Sequence, residues 1–368
     1  MSASVARTLL ATLRLGPDRD DTLREAWSQL DTRGLADWLA LEGAALWLWR
    51  RLRELDLVSY VDPALAAWID RAARQTAARN LLIEAQTDAV TGFLATHGFP
   101  HVLLKGAALQ AARAVFPYAD ARATTDVDVL LPKDRAGAAW DALLSAGYRL
   151  QTVPSRTPPD HWHLPRIVNE LEAPVEIHHS ISTRVPAQEA WHRMSGATRV
   201  FRRGSAALVV PSATELVWHA IAHAQLNDAH AFRLRYFVDV AALWASDDSI
   251  DWAEIGRRLE GTEVPDRRRT LAWLGAAARL ANRPFPASLP GSVPPFNLER
   301  ALRWRIAVCR QTAGLPRMRA TLCEEGTRAE AGMPLTPTTH TALLKRIPRR
   351  AAALAARGAY RLWRAATT

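Results

Sequence analysis

The stretch "HVLLKGAALQAARAVFPYADARATTDVDVLLPKD", His101 to Asp134, decides how this chain is read. It carries two acids, Asp126 and Asp128, one residue apart in an apolar run, and a Lys105–Gly106 step about twenty residues upstream. In "TDVDVLL" the side-chain period of a strand is two. Asp126 and Asp128 therefore share one face, while Val127 and Val129 point into a core on the other. Two carboxylates about 7 Å apart on one strand face repel each other unless a cation sits between them. Oxygen donors with no cysteine nearby suit Mg²⁺ or Mn²⁺. The pair alone is a weak signal, because two solvated acids at a strand end look the same.

A third acid strengthens it. In "PVEIHHSI", Val175 and Ile177 face one way and Glu176 and His178 the other. Three carboxylates on adjacent strands can bind two metal ions, the arrangement that clamps attacking and leaving oxygens in phosphoryl-type transfer. An ordinary half-exposed strand residue is the plain alternative for Glu176. Upstream, "HVLL" runs to Lys105–Gly106 and a helix opens at about Ala107. A helix start offers unpaired N–H groups and partial positive charge, and Gly106 permits close approach of a phosphate. Lys105 adds a point charge. The spacing is not that of a Walker loop. A tight strand-to-helix turn with a surface lysine is the simpler alternative.

Working outward, residues 20–97 read as successive amphipathic helices. "LADWLALEGAALWLWRRLREL" places Leu35, Trp38, Leu39, Leu46 and Trp49 on one helical face. A long helix, or two, follows between Pro63 and Gly98. From Phe99 the texture changes to short apolar runs and turns: "HVLL", "VDVLL", "YRLQTV", "PVEIHHSI" and "VFRRGSAALVV". Two helices lie among them, one from Gly106 to about Val115 and one from Pro132 to near Gly147. After Ser212, a capping residue with Glu215 three positions on, helices return. Residues 284–298 are proline-rich and read as a loop.

These patterns predict an α+β protein. The expected divisions are an N-terminal helical region over 1–98, an α/β core over 99–211, a C-terminal helical domain over 212–340 and a basic tail over 341–368.

The 368 residues carry 47 basic side chains and a net charge of +10, and three of the 47 are lysine. Codon preference explains the arginine excess most simply; the functional reading is attraction to polyanions. Arginine and lysine recur through the tail from Lys345 to Arg364, with Leu354, Tyr360, Leu362 and Trp363 between them. That tail is either a polyanion contact or a solvated helix. Cys309 and Cys323 form no metal or disulfide spacing. No signal peptide or membrane span is read, so the expected location is cytoplasmic. His219 and His223, at helical spacing, lack the rest of a zinc motif and read as packing or pocket lining. His161 and His163 precede the third acid and are candidates for the acceptor side. Arg235 and Asp239, four apart on a helix, read as an ion pair.

"LLKGAAL", "RATTDVDVLL" and "VEIHHSI" together are similar to the pattern of the DNA polymerase β-like nucleotidyltransferase superfamily. Within it, the chain most resembles the family of uncharacterised nucleotidyltransferases. Matching positions are Lys105, Gly106, Arg122, Asp126, Asp128, Glu176 and His178, and "LRYFVDVAAL" resembles the family's downstream element. The resemblance spans about residues 75 to 260. It departs where Ala107 replaces the serine or glycine of many relatives, and where the third acid is Glu rather than Asp.

The resemblance implies a polymerase β-like core and transfer of a nucleoside monophosphate from a triphosphate, ATP first among them, to a hydroxyl acceptor, with pyrophosphate released. Asp126, Asp128 and Glu176 would be catalytic and would hold Mg²⁺ or Mn²⁺. Lys105, Gly106, Arg122 and His178 would contact the nucleotide. The acceptor is open: a small molecule, a peptide, a protein or tRNA. The alternative is a catalytically inactive relative of the same fold that binds a nucleotide, nucleic acid or protein.

Overall fold

The computed structural model describes residues 2–16, 21–113, 116, 118–151, 161–226, 233–261, 263–264, 266–289 and 297–311. The tail over 341–368, Cys323 and residues 290–296 of the proline-rich stretch lie outside the described residues.

The first region folds as α1 (Ser2–Leu13), α2 (Asp21–Ser28), α3 (Leu35–Glu42), α4 (Ala45–Glu54) and α5 (Pro63–Thr96). The run expected to form one helix over "LADWLALEGAALWLWRRLREL" is two. Gly43 adopts φ 65°, a left-handed conformation that closes α3 and redirects the chain. The apolar face is consequently reset: Trp47 and Leu48 are buried in α4, not Leu46 and Trp49. Arg51 ties α4 to the end of α1, donating to the Thr12 and Arg14 carbonyls at 3.1 and 2.7 Å. Helix α5 opens where Asp62 accepts the Leu65 N–H at 2.9 Å and Pro63 fills the first turn. It is a single helix of 34 residues, about 50 Å long.

The middle region follows as β1 (Val102–Leu103), α6 (Lys105–Ala111), β2 (Val127–Leu130), α7 (Lys133–Ser145), β3 (Arg149–Leu150), β4 (Ile167–Val168), β5 (Val175–His178), α8 (Ala187–Gly196), β6 (Thr198–Arg203) and β7 (Ala206–Pro211). Helix α6 is shorter than expected, because the chain turns at Ala112–Arg113 and sends Phe116 into the core. Strand β4 was not expected, since two residues carry no readable alternation.

The sheet runs β1-β2-β5-β4-β3 and is mixed: β2 and β5 are parallel and the other pairs antiparallel. Central β2 and β5 are buried along their length. Val127, Val129, Val175 and Ile177 enter the main core. Leu130 faces a smaller cluster with Leu104, Ile181, Val185, Ala190 and Met194. A separate hairpin, β6-β7, packs on β1, α5 and α6.

The last region is α9 (Ala213–Leu226), α10 (Leu234–Ser246), α11 (Trp252–Leu259), α12 (Arg267–Ala281) and α13 (Leu298–Gln311). Ser212 caps α9, accepting the Glu215 N–H at 3.3 Å. The reciprocal half of the capping box does not form, because the Glu215 carboxylate is drawn to Arg258 at 2.8 Å. Helix α13 returns to pack on α1 and α3. The architecture is α+β, a mixed sheet between helical regions. Among the described residues no helix is long and apolar enough to cross a membrane.

Candidate active site

The parallel register of β2 and β5 sets Asp128 directly beside Glu176. Both point away from the main core, and His178 follows on the same face two residues on, as strand alternation requires. Asp126 immediately precedes β2 and lines the same cavity. From the other side, Ile167 pairs with Val175 in antiparallel register, so Arg166 falls beside Glu176. Glu176 is thus flanked by Asp128 on one strand and Arg166 on another.

Asp128 and Glu176 are almost fully buried, at 1% and 2% exposure. Asp128 Oδ1 accepts from Lys105 Nζ at 2.6 Å and from His178 Nε2 at 2.8 Å. His178 Nε2 lies 3.3 Å from Glu176 Oε2, and Lys105 Nζ lies 3.9 Å from the same oxygen. Arg166 donates from Nε to Glu176 Oε1 and from Nη2 to Asp126 Oδ2, the latter at 3.3 Å.

Burial alone would raise the Asp128 carboxyl, but Lys105 and His178 more than offset it and hold it well below the usual range. Glu176 is likewise raised by burial and then brought down to about 2, chiefly by its hydrogen bond with His178. Asp126 moves the other way: burial and the neighbouring Asp128 charge raise it. Burial and Lys105 depress the His178 imidazole, yet the two carboxylates raise it overall.

Lys105 adopts φ 47°, unusual for a residue with a side chain. Such a conformation costs roughly 1–2 kcal/mol and persists where surrounding contacts fix it. The Lys105 side chain is anchored there on Asp128. Gly106 is also under a steric constraint. A Cβ there would collide with Arg122 Nη1 and lie 2.5 and 2.7 Å from Thr124 Cγ2 and Oγ1. The bare Cα makes room for the Arg122 guanidinium. Gly106→Ala is therefore expected to cost about 1–3 kcal/mol by overpacking, read by chemical denaturation. A variant as stable as the parent would show that Arg122 and Thr124 are free to retreat.

Arg122 is clamped from below. Its Nε donates to both oxygens of Asp239 at 3.0 and 2.9 Å, which joins the core to α10. The helical pairing expected between Arg235 and Asp239 does not form. Asp239 turns to Arg122, 117 residues away, and Arg235 instead donates to the Tyr236 phenol at 2.8 Å.

These groups share a cavity of about 400 Å³. One wall carries Lys105, Gly106, Arg122, Asp126, Asp128 and Glu176. A second is the loop His161–Trp162–His163 with Arg166, and the third comes from α9 and α10, with His219, His223, Arg235 and Tyr236. His178 backs Asp128 without lining the cavity.

Burial pushes His219 down to about 3, helped by the nearby Lys105 and His178 charges. His163 is pushed down to about 4, again mainly by burial. A histidine with a folded value below its ordinary 6.5 binds its proton first in the unfolded chain. Its contribution is present above pH 6.5 and is lost as pH falls toward the folded value. Stability should therefore decline as pH falls from about 6.5 to 3, and His219→Gln should flatten that decline in urea midpoints taken at several pH values. An unchanged slope would remove His219 as its source.

Among the described residues, the group of three side chains close enough to share a metal ion is Asp128, Glu176 and His178, with ligand atoms within 4.8 Å of one another. This differs from the expected trio by exchanging Asp126 for His178, since Asp126 is turned toward Arg166. The donor set fits a divalent ion: two carboxylates and an imidazole, with Asp128 Oδ2 and His178 Nδ1 buried and, among the described residues, without hydrogen-bond partners. Among the described residues, His219 and His223 belong to no such group of three. Arg166 went unrecognised in the sequence. Its only signal was a basic residue at the mouth of the short apolar pair Ile167–Val168.

A family model described as an uncharacterised nucleotidyltransferase matches residues 28–281, well over half of the chain, and the protein belongs to that family. No curated protein matches it.

Proposed function

We propose that the protein is a divalent-metal-dependent nucleotidyltransferase. It moves a nucleoside monophosphate from a triphosphate, ATP first among them, to a hydroxyl acceptor and releases pyrophosphate. The observation that carries this reading is the cross-strand Asp128–Glu176 pair, with Asp126 and His178 beside it, at the wall of a cavity that also presents Lys105 and Arg122. Asp126, Asp128, Glu176 and His178 would hold Mg²⁺ or Mn²⁺. When bound, the metal supplies charge neutralisation at phosphoryl oxygens and acidifies the acceptor hydroxyl.

The chain's own residues do the rest. Lys105 and Arg122 bind the triphosphate oxygens, and Asp239 keeps Arg122 oriented while they do so. Gly106 admits the Arg122 side chain to that wall. His178, whose resemblance-based role is a phosphate contact, supports the metal ligands instead, since its Nε2 bonds Asp128 at 2.8 Å. The loop of His161 and His163 and the α9–α10 wall enclose the acceptor and limit water.

Lys105→Ala should weaken nucleotide binding by about 1.5–3 kcal/mol, the worth of a charge-assisted bond. Unchanged affinity in calorimetry would reject the role. The reaction itself is tested by incubating the protein with each α-labelled triphosphate, Mg²⁺ or Mn²⁺, and cell extract. Label should enter an acceptor as pyrophosphate appears, and γ-label should not. Transfer of γ-label instead would make the reaction phosphorylation and overturn the reading.

One observation favours a second reading, a non-catalytic relative that binds a nucleotide, nucleic acid or protein. Lys105, Arg166 and His178 already compensate the three carboxylates. Such a protein would bind triphosphates equally well with and without a divalent cation.

A further inference from the structure

We propose that the Arg235 guanidinium is an anion-recognition point of the cavity, binding phosphate or carboxylate oxygens of a substrate. Among the described residues, four cationic side chains line the cavity: Lys105, Arg122, Arg166 and Arg235. Three are matched to carboxylates, Lys105 to Asp128, Arg122 to Asp239, and Arg166 to Asp126 and Glu176. Among the described residues, those partners are also the only carboxylates in the wall. Arg235 has no carboxylate partner among the described residues. Its polar contact is the Tyr236 phenol, its guanidinium carbon lies 4.8 Å from that ring's centre, and its buried Nε–H has no acceptor among the described residues.

The protein thus brings a permanent charge to the cavity, and among the described residues no carboxylate pairs with it. A guanidinium offers a planar fork that matches two oxyanion oxygens. Leu216 and Leu243 line the same wall, and apolar neighbours reduce screening of the charge. The Asp239 carboxylate, which helical spacing would give to Arg235, is held by Arg122, so the charge stays available.

Two sources could provide the oxygens: the triphosphate, or an anionic group on the acceptor. The naming of these two sources rests on the nucleotidyltransferase reading; the anion affinity of Arg235 does not. Calorimetry with pyrophosphate, without metal, on the full-length protein tests that affinity. Arg235→Ala should bind pyrophosphate about tenfold or more weakly than the parent, with Arg235→Lys between them. Unfolding midpoints establish that the variants fold, and Arg235→Lys carries the comparison if the alanine variant does not. Equal affinity in parent and variant, or no binding by the parent, overturns the proposal.

A second arm uses protein saturated with Mn²⁺ and a non-hydrolysable ATP analogue. If the triphosphate occupies Arg235, Arg235→Ala loses analogue affinity. If the acceptor's anion does, analogue affinity is unchanged, and the loaded parent still binds inorganic phosphate where the variant does not. A parent that binds pyrophosphate through Arg235 but no ATP analogue with any cation would contradict the nucleotidyltransferase reading and leave the Arg235 assignment standing.

Discussion

Asp128→Asn should abolish nucleotidyl transfer and also cost the fold about 3–5 kcal/mol. Asp128 is 1% exposed, and one of its oxygens takes hydrogen bonds from both Lys105 and His178. An amide removes the negative charge and leaves Lys105 Nζ and His178 Nε2 with Glu176 alone, 3.9 and 3.3 Å away, as a carboxylate partner in a buried place. Loss of a residue that merely supports a metal ligand costs about 10–100-fold, and loss of a ligand should cost more. Asp126→Asn separates the two effects. Its side chain is 20% exposed and pairs with Arg166, itself 44% exposed, so the ion pair is worth roughly 1 kcal/mol or less. Transfer should fall in both variants, and stability mainly in the first. Denaturant unfolding beside the α-label assay reads both quantities; equal stability losses would show that Asp128 is not clamped as described.

Glu42→Ala should have the largest purely structural effect. Glu42 on α3 and Arg305 on α13 form an ion pair with side-chain exposures of 0% and 2%. The other Glu42 oxygen accepts the Leu234 N–H at 2.8 Å and so caps α10. The substitution leaves a buried guanidinium without the Glu42 carboxylate, which costs about 3–5 kcal/mol, and uncaps a helix, which costs about 1 kcal/mol more. Because α10 carries Asp239, which orients Arg122, activity should fall with stability. Glu42→Leu combined with Arg305→Met should recover most of the loss, since apolar replacement removes the buried charge together with its carboxylate. Single substitutions that cost under about 1 kcal/mol would show the pair to be hydrated.

The sequence exposed the parts of this molecule that obey a short period. Alternation in "TDVDVLL" and "VEIHHSI" put Asp128 and Glu176 on polar strand faces, and the parallel register of β2 and β5 then made them neighbours. The strand–helix–strand order of the core was legible because Gly and Pro punctuate it. What was hidden depended on long-range pairing or on single backbone angles. Arg166 meets Glu176 through a two-residue strand, too short for any pattern. Asp239 chose Arg122 over the helical neighbour Arg235, a choice made by tertiary packing. The break at Gly43 needed a left-handed φ to appear. Gly106 was recognised as special, but its immediate constraint is the Arg122 and Thr124 side chains packed on it.

The central claim is that the Asp128–Glu176 centre takes a divalent cation together with a nucleoside triphosphate. Its most direct test needs no acceptor: Mn²⁺ located by anomalous diffraction in crystals grown with a non-hydrolysable ATP analogue. The account predicts Mn²⁺ bound by Asp128 and Glu176, with the triphosphate alongside and Lys105 moved from Asp128 to a phosphate oxygen. Analogue bound in the cavity with no Mn²⁺ at these acids, and Lys105 still on Asp128, would contradict it.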